Sequence, residues 1–218
     1  MSMQALPWPN HAKHPHPMLD RFATALLRPA MTATARHLAA TGISANRITL
    51  LGFAIGLGAA LAIAMQAYVW GAALIVLSRL CDALDGAVAR QTQPTDAGGF
   101  LDIALDFLFY ASIPLAFACS SPERNALPAA VLLTAFMGTA SSFLAFAAFA
   151  AKRGMASLVW PDKSLYFLGG LTEATETLTV FLAMCLWPAY FPALAYGFAT
   201  LCAITTLTRI WWGWKSFQ

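Results

Sequence analysis

Four aspartates, Asp82, Asp85, Asp102 and Asp106, stand close together in a part of the chain that is otherwise mostly apolar. Residues three or four apart share one face of a helix, so Asp82 and Asp85 form one pair, and Asp102 and Asp106 form another. Carboxylates in apolar surroundings repel each other strongly unless a cation compensates them. Oxygen-only ligand sets favour hard divalent ions such as Mg²⁺ or Mn²⁺. The spacing therefore predicts a metal site built from two helices, and Arg79, three residues before Asp82, is expected to pair with it.

Small residues accompany these carboxylates: Gly86, Ala89, Gly98 and Gly99. A glycine inside a helix costs ~1 kcal/mol relative to alanine, so Gly86 indicates close approach by a neighbouring helix or a ligand. Arg90, at the end of the same predicted helix, is suited either to phosphate oxygens or to the last helix carbonyl groups.

These residues follow the pattern D-x2-D-G-x2-A-R-x7-G-x3-D-x3-D, which resembles the signature of the CDP-alcohol phosphotransferases. The positions are filled by Asp82, Asp85, Gly86, Ala89, Arg90, Gly98, Asp102 and Asp106. The resemblance extends from about Ile43 to the C-terminus. It is closest to a small bacterial inner-membrane branch, to which the run GGLTEATET (Gly169 to Thr177) is also similar. It implies transfer of a substituted phosphate, such as phosphatidyl, from a CDP-linked lipid to an alcohol, with release of CMP, in phospholipid biosynthesis.

The same resemblance implies roles for individual residues. The metal ligands would be Asp82, Asp85, Asp102 and Asp106, holding two divalent ions, with Asp106 also the general base. The CDP-lipid would contact Asn46, Thr49, Asp82, Gly86, Ala89 and Arg90. Asn46 is also a favourable helix N-cap residue, and Ala45 stands where many relatives have proline. Relatives form homodimers, so a homodimer is implied as well.

The acceptor site is the least defined part of the prediction. Its candidate residues are Lys152, Arg153, Lys163, Glu173 and Glu176. The glutamates are suited to a polyol or an amine, to the metal site, or to an ion pair with Arg209. The basic residues are suited to an acceptor phosphate, or they serve only to orient the chain in the membrane.

Composition indicates a membrane protein of the all-α class. Hydrophobic residues make up 59% of the 218 residues and charged residues 11%, against ~25% charged in soluble domains. A membrane-spanning helix needs roughly 20 apolar residues. We predict six such helices, at about 48–68, 70–91, 97–119, 126–151, 164–187 and 190–212. Gly52, Gly56 and Ala60 form a stripe of small residues on the first, which predicts close helix packing.

The segment before the first span divides into two parts. Residues 1–17 contain prolines and histidines without an apolar core, and we expect a disordered tail rather than a signal peptide. Residues 18–40 alternate apolar and basic side chains, which predicts an amphipathic helix at the membrane interface. We therefore treat 18–218 as one membrane domain.

Basic residues predict the orientation. They are concentrated before span one, after spans two and four, and at the end of span six: Lys13, Arg21, Arg28, Arg36, Arg47, Arg90, Lys152, Arg153, Lys163, Arg209 and Lys215. This distribution predicts that both termini and the motif end of spans two and three lie in the cytoplasm. The resemblance implies an integral protein of the inner membrane if the protein is bacterial. The net charge of +3 fits attraction to membrane lipids. No basic stripe accompanies exposed aromatics, so a nucleic-acid partner is not expected.

Two other functions share some of these features. Membrane prenyltransferases also carry aspartate-rich helices that bind Mg²⁺ and isoprenyl diphosphate, but their motifs lie on well-separated helices. A cation transporter would also place carboxylates within the membrane. However, the four aspartates cluster near one membrane face, and the sequence shows no inverted repeat.

Overall fold

The computed structural model describes residues 31–153 and 174–218, and the regular secondary structure of these residues is entirely helical. Its main helices are α1 (Ala45–Ala64), α2 (Tyr68–Gln91), α3 (Asp96–Ser120), α4 (Pro122–Lys152), α5 (Ala174–Leu186) and α6 (Phe191–Phe217), with a short 3₁₀ helix at Pro188–Tyr190. Residues 31–40 are helical as well. The predicted all-α class is confirmed.

Four stretches are long and apolar enough to cross a membrane: α1, α3, α4 and the segment Pro188–Phe217. Charged residues in the second half of α2 reduce its apolar character. Helix α5 is described over 13 residues, because much of the fifth predicted span lies outside the described part of the chain. Each of the six predicted spans overlaps a described helix, while the number of membrane crossings stays a prediction.

The helices pack as a bundle in which α1 contacts both α2 and α3. Helix α3 in turn packs against α4, α4 against α6, and α2 against α5. At the end of the bundle far from the aspartates, the core is rich in aromatic rings. Phe117 stacks on Phe191 with ring centroids 4.5 Å apart, and Tyr68 stacks on Phe117 at 5.7 Å. Such pairs add to the stabilisation from apolar burial.

The outer surface of the bundle is strongly apolar. Large side chains such as Leu61, Trp70, Met137 and Leu207 are more than 60% exposed. A soluble protein rarely exposes so much contiguous apolar surface. Together with the long apolar helices, this surface identifies an integral membrane protein.

Glycines on α1 allow the close helix packing that the small-residue stripe predicts. A Cβ atom added to Gly52 would lie 2.9 Å from Cβ of Cys81 on α2. One added to Gly56 would lie 2.6 Å from the ring of Phe109 on α3 and 3.1 Å from Oγ of Ser78 on α2. The Ser78 hydroxyl also donates a 2.7 Å hydrogen bond to the Gly52 carbonyl. Helix α1 therefore fixes α2 and α3 relative to each other.

The helical residues 31–40 pack against the end of the bundle where α2 ends and α3 begins, which we call the motif end. Ala35 is buried there in a small apolar cluster with Ile48, Ala87 and Val88. The earlier part of the predicted interfacial helix, and the predicted tail at 1–17, lie outside the described residues.

The packing at Gly56 predicts a stability difference between two glycine substitutions on α1. Gly56→Ala should lower the free energy of unfolding by about 1–3 kcal/mol, because the added methyl group meets Phe109, which is fully buried and cannot move aside. Gly58→Ala is the matched control, since its nearest neighbour would be a Leu74 methyl group 3.9 Å away. Unfolding in detergent should show Gly58→Ala as neutral or stabilised. Equal loss in both variants would contradict the packing argument.

Candidate active site

Three of the four predicted metal ligands converge at one point. Asp82 on α2, and Asp102 and Asp106 on α3, each offer a carboxylate oxygen, and these oxygens lie within 4.8 Å of one another. All three residues are partly buried. The two helices both pack against α1, and their side chains reach toward each other across the space between them.

Asp85 lies one helical turn further along α2 and is 6% exposed. Its Oδ2 atom has no hydrogen-bond partner among the described residues. A buried carboxylate oxygen without a partner is costly, and a bound cation is the usual compensation. The fourth predicted ligand is therefore beside the cluster, with an oxygen available for coordination.

Arg79 contacts the cluster directly. Its Nη1 atom donates to Oδ1 of Asp106 at 2.6 Å and lies 3.5 Å from Oδ1 of Asp82. The predicted pairing with Asp82 is present, but the shorter contact, with Asp106, was missed by the sequence analysis. It joins residues on different helices, and no local spacing could have indicated it.

The cluster borders a small open cleft. Its lining comes from α1, α2 and α3, as Thr49, Gly52, Phe53, Arg79, Asp82, Asp102, Leu105 and Asp106. Helix α1 contributes Thr49, Gly52 and Phe53, and the carboxylates come from α2 and α3. A ligand in this cleft would contact Asp82, Asp102 and Asp106, whereas Asp85 is not part of the lining.

Asn46 and Gly98 meet at the motif end of the bundle. A Cβ atom on Gly98 would lie 2.9 Å from Oδ1 of Asn46. Thr95 caps α3 by accepting a 3.0 Å hydrogen bond from the Gly98 backbone N–H. Helix α1 begins at Ala45 with Ser44 at its N-cap position, so the N-cap alternative for Asn46 is wrong. Asn46 is instead packed against the first turn of α3.

Gly86 faces open space rather than another helix. A Cβ atom there would have one neighbour within 4 Å among the described residues, Nη1 of Arg90 at 3.4 Å. Close approach by a helix is therefore not the reason for this glycine. Ala89 is partly buried and Arg90 is exposed at the end of α2, so the Gly86 surface is accessible beside a cation.

The candidate acceptor residues are less concentrated. Lys152 and Arg153 are exposed at the end of α4, and Glu176 is exposed in the first turn of α5. Arg153 donates to the backbone carbonyls of Ser216 and Phe217 and so joins the ends of α4 and α6. This tie between helices was not predicted. Lys163 and Glu173 lie outside the described residues.

Two proteins of known description are similar to this chain in sequence. The "Inner membrane protein YnjF" of Escherichia coli (strain K12) is 50% identical over 201 residues, which cover 92% of this chain and 98% of that protein. The archaetidylinositol phosphate synthase of Pyrococcus horikoshii is 34% identical over 103 residues, 47% of this chain and 55% of that protein.

Solved structures show the same fold. The phosphatidylinositol phosphate synthase of Mycobacterium tuberculosis with CDP-DAG bound matches with a TM-score of 0.64 and 22% identity, over 84% of this chain and 93% of that one. The same enzyme in complex with manganese and citrate matches with a TM-score of 0.64 and 24% identity, over 84% of this chain and 88% of that one.

The family model described as CDP-alcohol phosphatidyltransferase matches residues 42–212. This span contains the whole aspartate motif and most of the membrane bundle. It favours phosphoryl transfer over the prenyltransferase and transporter alternatives. The chain therefore belongs to the CDP-alcohol phosphatidyltransferase family, and it is a membrane-bound phosphotransferase.

Proposed function

We propose that this protein transfers a phosphatidyl group from CDP-diacylglycerol to an alcohol acceptor and releases CMP. The observation that carries the proposal is the group of carboxylates from α2 and α3 on the wall of one open cleft. The relative from Mycobacterium tuberculosis solved with CDP-DAG bound supports the choice of donor.

The carboxylates fit a divalent cation. The converging oxygens of Asp82, Asp102 and Asp106, together with the unpartnered Oδ2 of Asp85, form an oxygen-only donor set. Such a set suits Mg²⁺ or Mn²⁺, and the same relative was solved with manganese. When bound, the ion would neutralise charge on the pyrophosphate of the donor.

The motif end would hold the nucleotide. Asn46 and Thr49 at the start of α1 would contact the cytidine part of the donor, together with Asp82, Gly86 and Ala89 of α2. The open surface at Gly86 permits close approach of a ligand, and the neighbouring Arg90 guanidinium is suited to donate to phosphate oxygens.

Asp106 would act as the general base. It lines the cleft, and Arg79 engages its Oδ1 atom, which leaves Oδ2 to take the proton from the acceptor hydroxyl.

The acceptor would be selected near α4 and α5, by residues among Lys152, Arg153, Lys163, Glu173 and Glu176. Two kinds of relative are named archaetidylinositol phosphate synthase and phosphatidylinositol phosphate synthase, so a phosphorylated polyol is the first acceptor class to test. We further propose a homodimer in the bacterial inner membrane, with both termini and the motif end in the cytoplasm.

The function is tested with purified protein and radiolabelled CDP-diacylglycerol in the presence of Mn²⁺ or Mg²⁺. Candidate acceptors are glycerol phosphate, inositol phosphate, serine and simple polyols. We expect CMP release that depends on both metal and acceptor. Asp106→Asn should lose turnover by about 100-fold or more while it still binds the donor, because the base is lost and the shape is kept.

The control for this experiment is Asp96→Asn. Asp96 is an exposed carboxylate in the first turn of α3, away from the cleft, and its removal should leave turnover unchanged. Undiminished turnover of Asp106→Asn would contradict the base assignment. CMP release that persists in EDTA would contradict the metal requirement.

A second prediction concerns Asp85. In EDTA, Asp85→Asn should raise the free energy of unfolding by about 1–3 kcal/mol, because it removes a buried charge that lacks a partner on Oδ2. Added Mn²⁺ should stabilise this variant less than it stabilises the wild type. Thermal unfolding in detergent measures both effects. Mn²⁺ should stabilise the control variant Asp96→Asn as much as it stabilises the wild type. If Mn²⁺ stabilises Asp85→Asn equally well, Asp85 is not a metal ligand.

A third prediction compares two adjacent glycines. Gly98→Ala should weaken CMP binding roughly tenfold, because the added methyl group displaces the Asn46 side chain. In Gly99→Ala the added methyl group meets no atom within 4 Å among the described residues, so CMP affinity should be retained. Isothermal titration calorimetry of both variants provides the measurement. Equal CMP affinities of the two variants would contradict a role for Asn46 in nucleotide binding.

A further inference from the structure

Arg79 bridges two members of the carboxylate cluster that belong to different helices. A single nitrogen, Nη1, approaches Oδ1 of Asp106 at 2.6 Å and Oδ1 of Asp82 at 3.5 Å. These are two of the three carboxylates whose oxygens converge. The guanidinium therefore lies between ligands that a second divalent ion would also need.

The surroundings of Arg79 hold the guanidinium in this position. Its side chain is 13% exposed, and the guanidinium carbon lies 4.0 Å from the centroid of the Phe109 ring. Its Nη2 atom donates to the Ser78 hydroxyl at 3.3 Å. Phe109 itself belongs to α3 and is fully buried, with its ring against Gly56 of α1. Arg79 cannot leave the cluster without losing all of these contacts.

The charge of the cluster changes when Arg79 is included. Four carboxylates carry a formal charge of −4, and Arg79 reduces it to −3. One divalent ion would bring the site to −1, whereas two ions would bring it to +1 within a largely apolar bundle. A second ion would also be repelled by the guanidinium at short range, where screening is weak.

We propose that Arg79 takes the place of the second metal ion, so that this cluster binds one divalent ion tightly. Arg79 then acts as a positioning residue that holds Asp106 toward Asp82 and supplies part of the positive charge. The proposal rests on the proposed function for the presence of a metal, but it departs from the two ions that the sequence resemblance implies.

The number of bound ions tests the proposal without any measurement of turnover. Purified protein in detergent is stripped with EDTA, dialysed and titrated with Mn²⁺, and the free ion is followed by electron paramagnetic resonance. We expect one Mn²⁺ per wild-type chain. Arg79→Gln should bind a second Mn²⁺ at least about tenfold more tightly than the wild type does. Arg79→Lys, which keeps the positive charge, should still bind one Mn²⁺ per chain.

Arg124→Gln is the matched control. Arg124 donates to the Ala189 carbonyl at the end of the bundle opposite the motif, so its removal also takes away one positive charge and one tie to a backbone carbonyl. Its Mn²⁺ binding should equal that of the wild type. A purely structural role for Arg79 would lower the unfolding temperature of Arg79→Gln and leave the number of ions unchanged, which overturns the proposal.

The remaining outcomes are also decisive. Two ions of similar affinity on the wild type would overturn this proposal alone and leave CMP release intact. An absence of Mn²⁺ binding would overturn it together with the metal requirement of the proposed function. If Arg79→Gln fails to fold, one ion on both the wild type and Arg79→Lys supports the proposal, and two ions on either overturns it.

Discussion

The repulsion among four carboxylates on two helices is the main constraint on this structure. Unit charges about 4 Å apart interact by ~4 kcal/mol at an effective dielectric constant of 20, so the aspartates would separate if α2 and α3 were free to move. Helix α1 prevents this, because Gly52 and Gly56 let it contact both partners closely. The bond from Ser78 to the Gly52 carbonyl and the ion pairs of Arg79 reinforce the arrangement.

The two ends of the bundle consequently differ in composition. Around the aspartates, small residues leave open space beside charged groups. At the opposite end, stacked rings such as Phe117 and Phe191 fill the core, and Asn125 donates to the Phe117 carbonyl across the turn between α3 and α4. The well-packed end stabilises helices whose other end carries unfavourable charge. A functional site that violates local rules of stability commonly depends on such support elsewhere.

Local spacing explains which parts of this site could be predicted from the sequence. The aspartate pairs and the Gly52–Gly56 stripe repeat at three or four residues, so each one defines a helix face directly. The contacts of Arg79 with Asp106, of Gly98 with Asn46, and of Arg153 with the end of α6 join different helices. They depend on the rotation and depth of each helix in the bundle, which the pattern of apolar residues in a membrane protein defines poorly. A lipid-facing side chain and a core side chain are both apolar.

The motif residues and the proposed acceptor residues lie on different helices, which separates the proposed donor site from the proposed acceptor site. The motif residues lie on α2 and α3, and Asn46 and Thr49 lie on α1. The proposed acceptor residues lie at α4, on α5 or between them in the sequence. Helices α4 and α6 are tied to each other by Arg153 and by Arg209, which donates to the Thr139 carbonyl at 3.2 Å. Substitutions in that half can therefore change the acceptor surface while α1 still holds the carboxylates in place.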